Sequence, residues 1–325
     1  MMEDKFRFGI MGAGNIARQF CDAVTRQGEG VVAAVASKSI ERAESFAKDQ
    51  GIAHAYGSYE QMLREEKLDA VYVAATTNAH YELTMQCLEH DVPVLCEKAM
   101  CRNSKEAEGI FRYAREHGIF VMEGMWSRFL PKMAKVKEWL AAGKIGKVNL
   151  VTCGIGFQAP KDFTNRYYNP ALGGGATYDI LVYCYEIARY FFPEIPQECV
   201  CRADWSASGV DKTDVIVLKY PECMISLIAT FEGDIPNTMI FYGEKGRIEL
   251  LYPHYGKEAF LYIEGEEPEK FAEDKEENGF VYEIGEVIRC VREGKIESAV
   301  APHSMTMEMA KVFDEILKQK EGLSI

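Results

Sequence analysis

The sequence predicts an α/β protein of two domains: an N-terminal Rossmann domain with a doubly wound parallel sheet, and a C-terminal α/β domain with a large, open, mostly antiparallel sheet. Three observations lead to this prediction. Strand and helix patterns alternate from Phe6 to about Glu123, a glycine-rich turn follows the first strand, and strand patterns dominate after Pro131. A chain of 325 residues also fits two domains of about 100–200 residues each. We place the domains at residues 1–125 and 126–325.

In the first domain, each apolar strand pattern is followed by a segment with helical spacing. The strand patterns are FRFGIMG, VVAAVAS, LDAVYVAAT, VPVLCEK and IFVMEGM. Two of the helices open at Ser39 and Ser104, and serine is a preferred N-cap because its side chain accepts a backbone N–H. Repeated strand–helix units of this length imply a parallel sheet that is covered on both faces.

The second domain has long strand patterns with few helices between them. The strand patterns are KVNLVTCGIGF, ECVCRADW, TDVIVLKY, CMISLIATF, NTMIFYGEKGRIELLY and EAFLYI, which is typical of an antiparallel sheet. Helices are predicted after Pro131 and at about 176–192, 281–293 and 304–320, and the glutamate-rich stretch 264–278 is predicted to be a solvated loop. A wide sheet with one uncovered face predicts a homodimer that buries this face.

The composition argues against several classes of partner. The net charge of −13 is unsuited to nucleic acid or an anionic membrane, since both need a basic surface. No apolar run approaches the roughly 20 residues of a transmembrane helix, and the acidic start is unlike a secretory signal. The ten cysteines include no C-x-x-C pair, and the histidines lack zinc-ligand spacing. We therefore expect reduced thiols, a cytoplasmic protein and a site without metal.

The turn GAGNIA lies between the first strand and the first helix. Gly12 permits a tight turn, and Gly14 allows a pyrophosphate to approach the backbone. Asn15 and Ile16 open the helix, whose N-terminal N–H groups favour an anion. In this strand–turn–helix context the motif predicts a dinucleotide site, the alternative being a glycine turn that only packs.

The end of the second strand bears on the choice of nucleotide. An NAD site usually has an acidic residue about twenty residues past the glycines, where it binds the ribose 2′-OH. Here the strand ends in Ala36, Ser37 and Lys38, and Arg42 follows one helical turn later. A hydroxyl and cationic groups suit a 2′-phosphate, so we expect NADP rather than NAD. The alternative is a surface lysine at the start of a helix.

The stretch VPVLCEKAMC places Lys98 just past the fifth strand. The carboxyl ends of strands are where ligands bind in open parallel sheets. Lys98 is therefore either a solvated loop residue or an ammonium group directed into a cofactor cleft.

Several segments together resemble the Gfo/Idh/MocA oxidoreductases, and most of all the branch that oxidises diols and xylose. The segments are GAGNIA, AATTNAH, VLCEKAM, FVMEGMWSRFLP, GGGATYDILVY and GFVYEIGEVIRCVREGKIES, in this order along essentially the whole chain. The resemblance implies a Rossmann domain, a C-terminal domain used for dimerisation, and pyridine-nucleotide oxidation of a sugar, polyol or diol. Two departures from the family pattern stand near the expected nicotinamide site, namely Thr77 and Ala99 in place of prolines.

The resemblance assigns roles to residues around this lysine. Lys98 would lie between the nicotinamide ribose and the substrate hydroxyl, where an ammonium stabilises alkoxide character. Thr76, Asn78 and Glu97 would contact the cofactor. His80 would either line the cleft or make a structural bond at the start of its helix, and the sequence leaves both open.

Asp179 and Tyr183 are spaced i, i+4 on the helix that follows three glycines, which puts them on one face. A phenol titrates near pH 10, but an adjacent ammonium favours the phenolate. By resemblance, Tyr183 would exchange the substrate proton beside Lys98, and Asp179 would orient Lys98 or a substrate hydroxyl. The alternative for Tyr183 is packing, because this helix is rich in aromatic residues.

The substrate pocket is expected to begin after the last Rossmann strand, at Trp126, Arg128 and Phe129. Aromatic planes stack on sugar or diol faces, and arginine donates to hydroxyls. The resemblance adds further pocket residues, namely Phe157, Arg166 and Phe280.

The sequence thus predicts a dehydrogenase that transfers a hydride between NADP, or NAD, and a sugar, polyol or vicinal diol. Two alternatives stay open. One is an enzyme that retains its cofactor and cleaves glycosides or eliminates a group after transient oxidation. The other is a non-enzymatic NADP-binding redox sensor, which would be expected to lack Lys98 or Tyr183.

Overall fold

The computed structural model describes residues 5–321, which form two compact units. One unit contains the residues up to Trp126 together with 278–307, and the other contains 127–277 together with the residues from 308 onward. This division differs from the sequence-based boundaries in one respect. The segment 278–307 belongs to the Rossmann unit because its helix packs against the first helix of that unit.

The first unit is built on six parallel strands in the spatial order 3-2-1-4-5-6, the order of a Rossmann dinucleotide-binding sheet. The strands are β1 (Phe6–Met11), β2 (Gly30–Ala36), β3 (His54–Tyr56), β4 (Ala70–Val73), β5 (Val94–Glu97) and β6 (Val121–Gly124). All four residues of β4, β5 and β6 are buried, as expected for strands covered on both faces. The predicted fold class is confirmed for this half.

Helices connect these strands. They are α1 (Asn15–Gln27), α2 (Ile40–Gln50), α3 (Tyr59–Glu65), α4 (Thr77–Leu88), α5 (Ser104–His117) and α8 (Phe280–Arg292). Ser39 caps α2 as predicted, since its side chain accepts the Arg42 N–H. The cap of α5 is Asn103 rather than the predicted Ser104, because the Asn103 side chain accepts the Glu106 N–H at 2.9 Å.

The second unit contains an eight-stranded sheet in the order β14-β13-β12-β11-β7-β10-β9-β8. The strands are β7 (Val148–Gly156), β8 (Glu198–Trp205), β9 (Asp211–Lys219), β10 (Met224–Thr230), β11 (Thr238–Gly243), β12 (Gly246–Leu251), β13 (Glu258–Ile263) and β14 (Glu269–Ala272). Neighbouring strands are antiparallel except β7 and β10, which pair in parallel. The predicted mostly antiparallel sheet is confirmed. The predicted loop at 264–278 is wrong in part, because it contains β14.

Helices cover one face of this sheet. They are α6 (Pro131–Ala141), a π-helical turn (Thr177–Leu181) that leads into α7 (Val182–Phe191), and α9 (His303–Glu321), which begins in the first unit and ends in the second. The inward side chains of β7, β10 and β11 are buried, whereas the outward ones include exposed aliphatic residues.

Among the residues that the structure describes, no helix is long and apolar enough to cross a membrane.

Candidate active site

The glycine turn after β1 leaves an open helix N-terminus. Gly12 has φ of +114°, and a Cβ there would come within 2.6 Å of the Ala74 carbonyl oxygen. A Cβ on Gly14 would meet no atom within 4 Å, so the space above this residue is free for a ligand. The N-terminus of α1 has no side-chain cap and no acidic residue in its first turn. Asn15 and Ile16 therefore begin a helix whose N–H groups suit the pyrophosphate of a dinucleotide.

The end of β2 presents cationic side chains to solvent. Ser37 is buried and its amide donates to the Tyr56 carbonyl at 3.0 Å, whereas Lys38 and Arg42 are exposed. The nearest carboxylate, Glu41, is 2.6 Å from the Ser39 hydroxyl, and this hydrogen bond lowers the pKa of Glu41. The arrangement places exposed cationic side chains at the strand end, next to the hydrogen-bonded carboxylate of Glu41.

The turn after β4 is braced by His80. Its Nδ1 is 2.8 Å from the Ala99 carbonyl and its Nε2 is 3.0 Å from the Ala75 carbonyl, so the ring joins the turns that follow β4 and β5. Burial is the largest effect on His80 and lowers its pKa. These contacts favour the structural alternative for His80, although they leave its cofactor role a prediction. In the same turn, the Thr76 hydroxyl donates to Asn78 Oδ1 at 2.6 Å.

Buried polar contacts hold the turn that carries Lys98. Glu97 is buried and accepts a 2.5 Å hydrogen bond from the Tyr72 hydroxyl. Burial raises the pKa of Glu97, while the Tyr72 hydrogen bond and the nearby Lys98 ammonium act in the opposite direction. On the other side of Lys98, the Met100 N–H donates to Glu123 Oε1 at 2.9 Å, and the Lys98–Ala99 peptide is cis. Lys98 itself is half-buried on this well-anchored turn.

The second unit contains the other candidate catalytic side chains. Asp179 lies in the π-helical turn and Tyr183 in the first turn of α7, where its side chain is largely buried. Asp179 Oδ1 accepts a 2.9 Å hydrogen bond from Arg166, which the sequence analysis assigned to the substrate pocket. Isolated π turns occur frequently at functional sites. An acid and a phenol thus follow one another on an irregular helix.

Two buried aspartates fix the start of this helix. Asp211 accepts the Thr177 N–H at 2.6 Å, and Asp214 accepts the Thr177 hydroxyl at 3.0 Å. The Asp214 pKa is raised well above its usual value by burial and by the neighbouring Asp211 carboxyl. The glycine-rich turn before the helix packs on Asp211 at Gly175, whose φ is +130°. The sequence analysis missed both aspartates because they lie on β9, far along the chain from Tyr183.

One further residue was missed. The imidazole of His254 lies against the Tyr183 ring, with 5.2 Å between the ring centroids and an angle of 39°. The sequence analysis set His254 aside as unrelated to the site, because nothing in its spacing connects it to Tyr183. The contact arises because the turn between β12 and β13 returns to α7.

The predicted pocket residues occupy several environments. In the first unit, the rings of Trp126 and Phe280 meet edge to face with centroids 4.9 Å apart. In the second unit, Phe129 is half-buried and Phe157 packs on Phe231. Arg128 is buried and pairs with Glu186 at 3.4 Å, each side chain being 2% exposed, so its geometry favours a structural role.

The candidate residues divide between the two units. The cofactor residues, Lys98 and Trp126 belong to the first unit, whereas Asp179, Tyr183 and Arg166 belong to the second. Within residues 5–321, no group of three or more His, Cys, Asp or Glu side chains is arranged to hold a metal ion.

The chain was compared with known protein families. Residues 6–125 match the family described as "Oxidoreductase family, NAD-binding Rossmann fold", and residues 133–249 match the "GFO/IDH/MocA C-terminal domain". Together these matches cover well over half of the chain. The protein is therefore an NAD(P)-dependent oxidoreductase, and it belongs to the Gfo/Idh/MocA family. The resemblance inferred from the sequence motifs is confirmed.

Several curated relatives align along nearly the whole chain. Trans-1,2-dihydrobenzene-1,2-diol dehydrogenase of Xenopus laevis is 31% identical over 328 residues, which cover 96% of this chain and 97% of that protein. The enzyme of the same name from Mus musculus is 31% identical, with 96% of each chain covered. D-xylose 1-dehydrogenase (NADP(+)) of Hypocrea jecorina is 29% identical, with 96% and 91% covered.

Solved structures share the fold. An aldose-aldose oxidoreductase from Caulobacter crescentus superposes with a TM-score of 0.88 at 22% identity, covering 98% of both chains. Levoglucosan dehydrogenase superposes with a TM-score of 0.87 at 16% identity, again covering 98% of both chains. These likenesses confirm the predicted pair of a Rossmann sheet and an open antiparallel sheet.

Proposed function

We propose that this protein is an NADP-dependent dehydrogenase or reductase of a sugar, polyol or vicinal diol. The observation that carries the proposal is the anchored Lys98 turn at the carboxyl edge of the Rossmann sheet, together with Tyr183 and Asp179 on the irregular helix. The relatives named for dihydrodiol and xylose dehydrogenation support this class of substrate.

The choice of NADP rests on the residues at the end of β2. Lys38 and Arg42 are exposed there, and the nearby carboxylate of Glu41 is engaged by Ser39. Cationic donors favour the 2′-phosphate of NADP, whereas a free acid would favour the 2′-OH of NAD. The open N-terminus of α1 would hold the pyrophosphate. The bound nicotinamide supplies the hydride chemistry in either direction.

In the proposed mechanism, Tyr183 exchanges the proton of the reacting hydroxyl, and Lys98 stabilises the charge that develops on the oxygen. A positioned acid–base group typically contributes on the order of 10²–10⁴-fold to the rate. An ammonium contributes by electrostatic stabilisation that needs no reorganisation. His80, Tyr72 and Glu123 hold the backbone and the neighbouring carboxylate around Lys98, so that its ammonium is presented from a fixed turn.

Asp179, four residues before Tyr183 in the chain, forms a polar pair with Arg166. Arg166 is largely exposed, and its guanidinium lies 4.2 Å from the centroid of the Tyr167 ring. We assign the pair to substrate hydroxyl recognition, because a guanidinium donates and a carboxylate accepts. The aromatic rings of Trp126, Phe157 and Phe280 would supply apolar faces for a sugar or diol.

We further propose that the protein is a homodimer formed through the outer face of the eight-stranded sheet. On this face Met224 lies opposite Leu150, which lies opposite Tyr242, and two rows further along Val215 lies opposite Ile228. These five side chains are each 37–44% exposed, and the row between them contains Ser226 and Thr152. Such a patch is costly to leave in water, and a second copy of the same face would cover it symmetrically.

A cytoplasmic location is part of the proposal. All ten cysteines are free thiols, and nine of them are buried. This pattern is typical of a reducing compartment.

A screen of aldoses, polyols and vicinal diols with NADP and with NAD, read at the nicotinamide absorbance, tests the function. We expect turnover with at least one such substrate and NADP, and loss of turnover in Lys98→Met. Tightly retained NAD(H) without net turnover would instead indicate a cofactor-retaining cleaving enzyme. Nucleotide binding without turnover of any of these substrates would contradict the proposal. Normal turnover by Lys98→Met would contradict it as well.

A further inference from the structure

The turn between β12 and β13, formed by residues 252–256, places an imidazole on the proposed catalytic tyrosine. The ring of His254 lies 5.2 Å from that of Tyr183 at an angle of 39°. It also meets the ring of Tyr255 edge to face, with centroids 4.5 Å apart. His254 thus contacts both the tyrosine of α7 and an aromatic residue of its own turn.

Backbone hydrogen bonds and a ring contact close the turn. The amides of Tyr255 and Gly256 donate to the Tyr252 carbonyl at 3.1 and 2.6 Å, and Tyr252 has φ of +46°. The Tyr252 and Tyr255 rings stack with centroids 5.1 Å apart. Backbone hydrogen bonds and ring contacts therefore fix the direction in which His254 leaves the turn.

A buried lysine ties the turn to α6. Lys132 Nζ donates to the carbonyls of Leu251 at 3.2 Å and Tyr252 at 2.8 Å, and the residue has no exposed surface. Burial lowers the pKa of Lys132 to about 7. Both the ammonium and the neutral amine carry at least two N–H groups, so either form can serve both carbonyls. Lysine side chains are rarely buried completely, and here the buried amino group donates hydrogen bonds to two carbonyls of one turn.

We propose that His254 is a positioning residue for Tyr183, and that Lys132 holds the turn which presents it. The inference rests on the proposed function, in which Tyr183 exchanges the substrate proton. The imidazole covers part of one face of the phenol and restricts the side-chain torsions that move its hydroxyl. A misplacement of about 1 Å at a reacting group can cost roughly 10²-fold in rate.

Three variants test the inference by steady-state kinetics on the substrate found in the screen. His254→Ala removes the ring and should lower kcat by roughly tenfold or more, within the loss that misplacement can cause, with little change in the KM for nucleotide. His254→Phe keeps a planar ring and should restore kcat to within about threefold of the unmodified protein. Lys132→Met keeps the aliphatic length but removes the donors, so it should also lower kcat.

The double variant of His254→Ala with Lys132→Met should be little slower than His254→Ala, because both changes act on the same contact. Lys135→Met is the matched control, since Lys135 lies on the same helix, pairs with the surface carboxylates of Glu138 and Glu269 and lies over the Trp139 ring, and its kcat should be unchanged. If Lys132→Met does not fold, Lys132→Gln replaces it in the cycle, because its NH2 group lies on a shorter side chain and reaches the two carbonyls less well.

The outcomes separate this inference from the proposed function. If Tyr183→Phe loses turnover but His254→Ala does not, the positioning role is overturned and the proposed function stands. Equal losses in His254→Ala and His254→Phe would also overturn it, because the nitrogen atoms rather than the ring would then be needed. If Tyr183→Phe turns over normally, the proposed role of Tyr183 in proton exchange fails, and this inference fails with it.

Discussion

Two glycines in the same turn are required for different physical reasons. Gly12 has a positive φ and lies against the Ala74 carbonyl, so the fold itself excludes a side chain there. Gly14 has ordinary extended backbone angles, and a Cβ would meet no protein atom. The second glycine is therefore explained by a ligand rather than by the fold.

This contrast gives a prediction. Gly12→Ala should lower the free energy of unfolding by roughly 1–3 kcal/mol, the cost of a strained backbone position. Gly14→Ala should leave the stability unchanged and weaken nucleotide binding by on the order of tenfold, which is about 1.4 kcal/mol. Chemical unfolding and nucleotide titration of both variants provide the measurement. A loss of stability in Gly14→Ala as large as that in Gly12→Ala would contradict the assignment.

At the scale of residues, the sequence reveals candidate catalytic residues more readily than the residues that hold them in place. Lys98 stood out because a charged pair follows an apolar strand. Its supports, Tyr72 and Glu123, come from β4 and β6, which pair with β5 only in the folded sheet. His254 could not be found from spacing either, because its contact with Tyr183 depends on a turn far along the chain.

At the scale of elements, the helix that carries Asp179 and Tyr183 begins in an unusual way. Its first turn is π-helical, and its start is fixed by Asp211 and Asp214 through the amide and hydroxyl of Thr177. Two carboxyl groups at one buried site cannot both ionise cheaply. The raised pKa of Asp214 therefore couples its protonation to the site where this helix begins.

The pH dependence of stability should report this proton. The Asp214 pKa is higher in the folded than in the unfolded protein, so above about pH 4 the folded state holds this proton more tightly. The contribution of Asp214 to the free energy of unfolding is therefore lost as pH rises. Asp214→Asn cannot ionise at this position, so its stability relative to the unmodified protein should increase as pH rises from 4 to 8. Unfolding curves between pH 4 and pH 8 measure the difference.

Asp204→Asn is the control for this experiment, because Asp204 is exposed on β8 and makes a surface pair with Lys212. Surface pairs contribute about 0–1 kcal/mol, so this variant should keep the unmodified slope. If Asp214→Asn shows the same pH slope as the unmodified protein, Asp214 does not hold a proton near neutrality.

Most long elements were predicted from periodicity, and the errors have physical causes. The strand β3 and the helix α3 span only three and seven residues, too few to show a period. The strand β14 lies in a glutamate-rich stretch whose composition favours a loop. Its pairing with β13 is stabilised across strands, where the ammonium of Lys270 lies 5.6 Å from the Phe260 ring centroid and pairs with Glu258.

At the scale of the whole molecule, the sequence predicted a Rossmann sheet followed by a mostly antiparallel sheet, and the structure contains both sheets. Periodicity along one chain does not reveal which surface a second copy would use. The outer sheet face is proposed because the cross-strand register aligns aliphatic side chains from non-consecutive strands. The segment 278–307 was assigned to the other half because its helical pattern carries no sign of its packing partner.

The dimer proposal predicts a charge-sensitive assembly. Ile228 is 38% exposed at the middle of the outer face, and Ile228→Glu would place like charges near each other across a symmetric interface. Light scattering at micromolar concentration should show a dimer for the unmodified protein and a monomer for this variant. Ile195→Glu is the matched control, because Ile195 is 80% exposed outside the sheet and should leave the dimer intact. A monomeric unmodified protein would contradict the proposal.

The central proposal is that Tyr183 exchanges the proton of the reacting hydroxyl, and one measurement tests it most directly. The turnover number of Tyr183→Phe is determined with NADP and the substrate found in the screen, with nucleotide affinity measured in parallel. Tyr190→Phe on the same helix, whose ring lies 4.2 Å from the Lys137 ammonium, serves as control. We predict normal nucleotide binding and a loss of 10²–10⁴-fold, on the order expected for an acid–base group, for Tyr183→Phe alone. Turnover of Tyr183→Phe at nearly the normal rate would contradict the account.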